Sequence, residues 1–203
     1  MIPSVAQCFQ FMDQYEMLEN IRDHSIMVAR IGELLALELV DKGVEVNIDL
    51  VVAGALMHDI AKTACLDNDR NHAGMGREIC RRHGLDEIAD IVGDHVWLKA
   101  YGRTEITEKE IVYYADKRVN HDCIVPLEER RQYIIERYGN EEAARIEAIA
   151  VNCRNWHVIE EKIFAQLEFN PADIDTLLAD RPSMVDPIEP HCPGNLKKKC
   201  RSG

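Results

Sequence analysis

The amino-acid sequence predicts an all-α protein. From residue 4 to about residue 167, apolar residues recur at spacings of three and four, which is the period of a helix with one buried face. No segment alternates apolar and polar residues convincingly, as a half-buried strand does. With 203 residues, 46% of them hydrophobic, the chain is long enough for one well-packed core and short for two. We therefore expect one helical domain over residues 1–181.

The first four predicted helices have signals at their ends. Ser4 can accept a hydrogen bond at the start of the first helix, and Asp49 is expected to cap the third. Gly43 and Gly84 follow the second and fourth helices, where glycine readily adopts the left-handed conformation that ends a helix. The third helix is apolar on all sides, so we expect it at the centre of the core. After the first helix, the predicted ranges are residues 18–40, 50–62 and 72–83.

The later helices are delimited in a similar way. Thr107 and Glu110 form a capping-box sequence before one helix, and Pro126 starts the next. Pro171 lies just beyond a long final helix, which could form a homodimer or pack on its own domain. The predicted ranges are residues 86–95, a helix after residue 107 that carries Asp116, 126–139 and 141–169.

Residues 182–203 differ from the rest of the chain. They contain four of the seven prolines and a basic run over residues 197–201 with no helical period. This composition predicts a disordered tail. His191, Cys192 and Cys200 lie together there, but their irregular spacing is only weak evidence for a zinc site.

The net charge of −12 excludes some partners and leaves others. It opposes the approach of nucleic-acid polymers and anionic membranes. A small phosphorylated substrate is compatible with this charge if metal ions supply local positive charge. The longest apolar run, residues 50–57, is too short to span a bilayer, and no secretory signal pattern is present. We therefore expect a cytoplasmic protein.

Histidine and aspartate interrupt three helices that are otherwise apolar. His24 lies at the edge of a buried stripe, the pair His58-Asp59 ends an apolar run, and Asp116 ends another. A buried carboxylate or imidazole is costly unless a partner compensates it, and one cation can compensate several at once. The pattern predicts a metal site. Because imidazole and carboxylate are mixed, Mn, Fe, Co, Ni or Zn is favoured over Mg or Ca.

Ion pairs and ordinary burial could also account for these residues. Asp59 could pair with Lys62, and Asp116 with the following Lys117-Arg118. His24 could be a core histidine that donates to a backbone carbonyl. A single metal site nevertheless accounts for all the residues together, whereas ion pairing needs a separate partner for each.

The motifs around these residues resemble the HD superfamily of metal-dependent phosphohydrolases. His24-Ser25-x-x-Val28-Ala29 resembles the first motif of that family, the run Gly-Ala-Leu-Met-His-Asp-Ile-Ala-Lys over residues 54–62 its second, and Tyr114-Ala115-Asp116 its last. The resemblance covers residues 18–122. It implies an HD-domain helical bundle, with the helices after residue 126 as additions, in which His24, His58, Asp59 and Asp116 bind one divalent metal ion.

Two more histidines refine the resemblance. His72 and His95 fall where members with an expanded site, such as bacterial diadenosine tetraphosphate hydrolases, have two further histidines. The resemblance implies a second ion held by His72, His95 and a bridging Asp59. Alternatively, His72 is an exposed residue at a helix start and His95 a histidine at a helix end. Lys62 would contact a phosphate oxygen, or pair at the surface with Asp59 or Asp67.

The resemblance implies hydrolysis of a small phosphate ester or anhydride, with a nucleotide as the expected substrate. One or two ions would activate a water and neutralise charge on the phosphoryl group. A cyclic-dinucleotide phosphodiesterase and a non-catalytic metal or nucleotide sensor are the alternatives. Asp94 could orient a ligand imidazole or face water. The candidates for substrate contact are Lys99, Arg103, Arg118, Trp97 and Tyr101.

Overall fold

The computed structural model describes residues 1–68, 70–98, 104–139 and 142–186, and it is helical over most of them. The all-α prediction is confirmed. The helices are α1 (Val5–Gln14), α2 (Glu19–Asp41), α3 (Ile48–Met57), α4 (His72–Arg82), α5 (Asp86–Asp94), α6 (Glu108–Lys117), α7 (Leu127–Tyr138), α8 (Ala143–Phe164) and α9 (Ile174–Ala179). Two short strands, β1 (Val119–Asn120) and β2 (Cys123–Ile124), lie between α6 and α7.

Helix α3 lies at the centre of the core, as its apolar composition predicts. Every residue from 51 to 57 is buried, and the helix packs against α1, α2, α5 and α6. Small residues allow these close approaches. A Cβ atom at Gly54 would lie 2.8 Å from Ile91 Cγ2 on α5, so the two backbones could not approach as closely with a larger residue.

The cap of α3 is not the residue that we expected. The Asn47 side chain accepts a hydrogen bond from the Leu50 amide at 3.1 Å. Asp49 instead lies within the first turn, where its negative charge interacts favourably with the positive end of the helix dipole. The helix also ends at Met57, whereas the sequence predicts that it continues to residue 62. His58 and Asp59 therefore follow the helix in a turn, which frees their side chains from the helix surface.

The residues predicted to begin α1 and α6 and to end α4 do so in the structure. Ser4 and Gln7 form a reciprocal capping box at α1, and Thr107 and Glu110 form another at α6. Gly84 adopts a φ of +68° after α4, a conformation that glycine tolerates without strain.

The β1–β2 hairpin is absent from the sequence prediction. Val119 pairs with Ile124 and Asn120 with Cys123, in antiparallel register. Two residues per strand are too few to give a recognisable alternation. His121 lies in the turn with a φ of +55°.

The C-terminal helices pack onto the motif-bearing helices. The final long helix is shorter than predicted, because α8 covers Ala143–Phe164, and α9 follows it. Trp156, Ile159 and Ile163 of α8 are buried, and this helix packs on α6 and α7. Dimerisation through α8 stays a prediction.

The packed chain extends beyond the predicted domain end at residue 181. The Ser183 hydroxyl donates to the buried Glu33 carboxylate on α2, and the Met184 amide donates to the same group at 3.0 Å. Val185 is buried. The rest of the predicted tail, residues 187–203 with His191, Cys192 and Cys200, lies outside the described residues. Among the helices of the described part, none is long and apolar enough to cross a membrane.

Candidate metal centre

The side chains that the sequence predicts as metal ligands converge in the structure. His24 projects from α2 and Asp116 from α6, while His72 is the first residue of α4. The others follow helices directly, after α3 or after α5. Five of the six residues are buried and His72 is half-buried. The set is His24, His58, Asp59, His72, His95 and Asp116.

The carboxylate of Asp59 lies between two pairs of histidines. Its Oδ2 atom is 3.3 Å from His58 Nε2 and 4.0 Å from His24 Nε2. Its Oδ1 atom is 3.4 Å from His72 Nε2 and 3.5 Å from His95 Nε2. Each oxygen of one buried carboxylate therefore faces a different pair of imidazoles.

Asp116 belongs to the side of His24 and His58. Its Oδ1 atom is 3.0 Å from His24 Nε2 and 3.8 Å from His58 Nε2. Asp59 forms one group of metal-binding size with His24 and His58 and another with His72 and His95, and Asp116 adjoins the first group. On the other side, His72 Nε2 and His95 Nε2 are 3.2 Å apart.

Backbone carbonyls fix the orientation of three of the imidazoles. His24 Nδ1 donates to the carbonyl of His121 at 2.8 Å. His58 Nδ1 donates to Ala55 O and His95 Nδ1 to Val92 O, both at 2.6 Å. Because the proton in a neutral imidazole is then on Nδ1, the lone pair of each Nε2 points into the cluster. Metal-binding histidines typically donate a hydrogen bond in this way from the nitrogen that does not bind the metal.

Two of the inward atoms lack a protein partner, in a way that suits a cation. Within the described part of the chain, His58 Nε2 and Asp59 Oδ1 are buried and have no hydrogen-bond partner. Nitrogen lone pairs facing carboxylate oxygens repel each other unless a proton or a metal ion lies between them. A divalent cation removes this repulsion at both groups, so the residues present fit such an ion.

Burial keeps most of these imidazoles neutral, which is the form that binds metals. It lowers the pKa of His24 and of His95, although nearby carboxylates oppose the change. Burial also lowers the pKa of His72 to about 4. His58 differs, because burial lowers its pKa but the carboxylates of Asp59 and Asp116 and the hydrogen bond to Ala55 together raise it above its usual value.

Each of the two carboxylates also pairs with a lysine. Lys62 Nζ is 2.7 Å from Asp59 Oδ2, and Lys117 Nζ is 2.5 Å from Asp116 Oδ2. Burial would raise the pKa of both carboxyl groups, but these ammonium groups and the neighbouring histidines hold each pKa well below its usual range. Both ion pairs that we considered from the sequence therefore exist. Asp59 Oδ1 and Asp116 Oδ1 have no lysine partner, whereas an ion beside His24 and His58 would share Asp59 Oδ2 with Lys62.

The other residues considered for the site have mixed outcomes. Asp94 neither faces water nor orients His95, because it binds Arg77 at 2.6 Å and Lys109 at 3.0 Å. Arg118 is not available to a phosphate, since it is buried and donates to the carbonyls of Val125 and Pro171. The side chain of Trp97 is exposed. Lys99, Tyr101 and Arg103 lie outside the described residues.

Two features near the site had no clear signal in the sequence. Lys117, considered only as an ion-pair partner, also donates to the carbonyl of His95 at 2.9 Å and so connects both sides of the cluster. Arg130 reaches Asp116 from α7, beyond the last recognised motif. The helix that carries Arg130 packs on β1, where Asn120 accepts from the guanidinium.

Known proteins are similar to this region of the chain. The family model for the HD domain matches residues 21–120. An uncharacterized protein of Methanocaldococcus jannaschii is 32% identical over 133 residues, covering 56% of this chain and 78% of that protein. Ribonuclease Y of Treponema denticola is 37% identical over 78 residues, covering 38% of this chain. Ribonuclease Y of Treponema pallidum is 40% identical over 80 residues.

The extent of these matches differs. The chain spans only 14% of the length of either ribonuclease. No solved structure matches the chain at comparable significance. The match to most of the Methanocaldococcus protein and the match of the family model agree with the motifs and with the clustered histidines and aspartates. The chain therefore belongs to the HD domain family, a superfamily of metal-dependent phosphohydrolases.

Proposed function

We propose that the protein hydrolyses a small phosphate ester or anhydride, with a nucleotide as substrate, at a site for two divalent cations. One observation carries the proposal: the two oxygens of the buried Asp59 carboxylate face different pairs of histidines. A carboxylate in this arrangement suits a bridge between two ions. Two adjacent ions suit the displacement of a phosphate oxygen.

The distances favour a specific division of ligands. His24, His58 and Asp59 would hold the first ion together with the adjoining Asp116, and Asp59, His72 and His95 the second. Mixed imidazole and carboxylate ligands favour Mn, Fe, Co, Ni or Zn. Such ions, when bound, lower the pKa of a water and neutralise charge that grows on the phosphoryl oxygens.

Protein side chains and carbonyls supply the remaining functions. The carbonyls that accept from His24, His58 and His95 hold these rings in the orientation that a ligand needs. Lys62 is partly exposed and lies beside Asp59, so its ammonium group can move from the carboxylate to an incoming phosphate oxygen. His72 is also partly exposed. The open side of the cluster, where a substrate can enter, is therefore the side of Lys62 and His72.

The substrate class rests on charge and on similarity. The net charge of −12 disfavours long polyanions, whereas a nucleotide is small enough to be attracted by the local cations. A phosphodiester in a short RNA is the second candidate, because the HD region is similar to that of ribonuclease Y.

Turnover of a substrate panel tests the proposal. The purified protein, loaded with Mn or Fe, is incubated with nucleoside phosphates, dinucleoside polyphosphates, cyclic dinucleotides and a short RNA. We expect release of phosphate or a nucleotide product from the small nucleotides. Asp59→Ala should abolish this release, because both groups of ligands lose their shared carboxylate.

A matched control separates loss of ligand from loss of charge. Asp67→Asn changes an exposed aspartate eight residues further along the chain and should retain full activity. Cleavage restricted to the RNA would replace the nucleotide proposal with the phosphodiester one. Tight metal binding without turnover of any compound would instead support a non-catalytic sensor.

A further inference from the structure

Arg130 brings a guanidinium group to the edge of the metal-ligand cluster. It lies on α7, outside residues 21–120 that match the family model, and it is only 9% exposed. Its Nη2 atom is 3.5 Å from Asp116 Oδ1, the oxygen that faces His24. A buried guanidinium is costly to maintain unless its N–H groups have acceptors.

The protein holds Arg130 in place but satisfies it incompletely. Nη1 donates to Asn120 Oδ1 at 2.9 Å, and the guanidinium lies over the ring of Tyr133 at 5.6 Å. Nε is buried and has no acceptor among the residues that the structure describes. The contact to Asp116 is at the limit of a hydrogen bond. Arg130 is therefore oriented in advance while much of its donor capacity stays free.

Asp116 already has a closer cation than this arginine. Lys117 already contacts the other oxygen of that carboxylate at 2.5 Å, much closer than Arg130 does. With Lys62 paired to Asp59, both carboxylates have a lysine partner before Arg130 is considered. Bound divalent ions would leave this end of the cluster with excess positive charge, which favours an anionic ligand.

We propose that Arg130 contacts the substrate and binds its phosphate group. A guanidinium presents paired N–H groups that match two oxygens of a phosphate. Next to Asp116, it is positioned so that a phosphate oxygen can reach the ligand cluster while another reaches Arg130. The inference deepens the proposed phosphohydrolase function and rests on it, because it assigns a protein group to the substrate of that site.

Titration of the Mn-loaded protein with inorganic phosphate tests the inference without requiring turnover. Calorimetry compares the wild type with Arg130→Gln, Arg130→Lys and Arg131→Gln, and metal content is measured for each. Arg131 is the matched control, since it lies next in the same helix and pairs with Glu128 away from the cluster. We expect Arg130→Gln to weaken phosphate binding at least about tenfold, the usual loss for a hydrogen bond to a charged group.

The variants separate substrate contact from a structural role. Arg130→Lys keeps the charge but loses the paired N–H groups, so its loss should be intermediate and it serves if the glutamine variant fails to fold. Arg131→Gln should bind phosphate as the wild type does, and every variant should retain its metal. Phosphate affinity of Arg130→Gln within twofold of the wild type would overturn the inference. So would a loss of metal with unchanged phosphate affinity per loaded molecule, because Arg130 would then only position Asp116.

The outcome also separates this inference from the proposed function. If the wild type hydrolyses nothing yet binds phosphate in an Arg130-dependent manner, the contact stands and the catalytic proposal fails. If the wild type is active and Arg130→Gln leaves both KM and phosphate affinity unchanged, the catalytic proposal stands and the contact fails. A wild type that is loaded with Mn but binds no phosphate overturns the inference.

Discussion

Replacing Lys117 with methionine should destabilise the metal-free protein more than the metal-loaded protein. Lys117 is only 4% exposed, and its ammonium group donates to Asp116 Oδ2 and to His95 O. Methionine retains much of the side-chain volume but provides neither the charge nor the donors. Without metal, Asp116 then becomes a buried carboxylate that has lost its nearest partner.

The contacts give the expected magnitudes. Breaking a buried ion pair from one side costs about 3–5 kcal/mol, which is the loss expected for the metal-free variant. With metal bound at Asp116, the carboxylate keeps a cation and mainly the His95 carbonyl loses a donor, at about 1–2 kcal/mol. By the thermodynamic cycle, the variant must then bind metal more tightly than the wild type, by about fivefold or more.

Urea unfolding with chelator and with excess Mn measures both losses. Lys109→Met is the control on the same helix, because the Lys109 side chain is 35% exposed and its partner Asp94 keeps the closer ion pair with Arg77. This control should lose under about 1 kcal/mol in both conditions. An equal loss for Lys117→Met with and without metal would refute the reasoning, since the metal would then not compensate Asp116.

Two further predictions concern packing and pH. Gly76→Ala should lower the free energy of unfolding by about 1–3 kcal/mol, because the new Cβ would lie 2.7 Å from Val92 Cγ1. Thermal denaturation measures this loss. An unchanged Tm would contradict the close spacing of α4 and α5. Burial lowers the pKa of His72 from 6.5 in the unfolded chain to about 4 in the folded protein. Between these pH values the unfolded chain binds a proton that the folded protein does not, so the metal-free protein should lose stability as pH falls from 6.5 towards 4. His72→Gln should reduce that loss in urea unfolding with chelator, and identical pH profiles for the two proteins would count against it.

Local signals in the sequence predicted much of the fold. The capping boxes at Ser4 and Thr107 involve residues three positions apart, so they form with few demands on the rest of the chain. The apolar surface of α3 likewise predicted its burial. The end of α3 at Met57 was not predictable from apolar residues alone, because the turn after it is determined by packing of His58 and Asp59 into the cluster.

The candidate site was predictable only where sequence motifs carry it. The six predicted ligands come together although His24 and Asp116 are 92 positions apart. Arg118 and Arg130 show what the sequence could not distinguish, since both are arginines after the last motif. Arg118 donates hydrogen bonds to the carbonyls of Val125 and Pro171, while Arg130 contacts Asp116 in the metal-ligand cluster. The partners of long side chains depend on tertiary packing, which no local pattern records.

Metal content per chain tests the central claim most directly. Emission spectroscopy on several preparations of the protein, loaded with Mn or Fe and freed of excess metal, gives the ratio of ions to chains. Two groups of ligand atoms that share Asp59 predict two ions per chain in the wild type. His72→Ala should reduce the ratio to one, and Asp59→Ala should reduce it to well below one. A wild-type ratio consistently below one would contradict the metal centre and the function proposed from it.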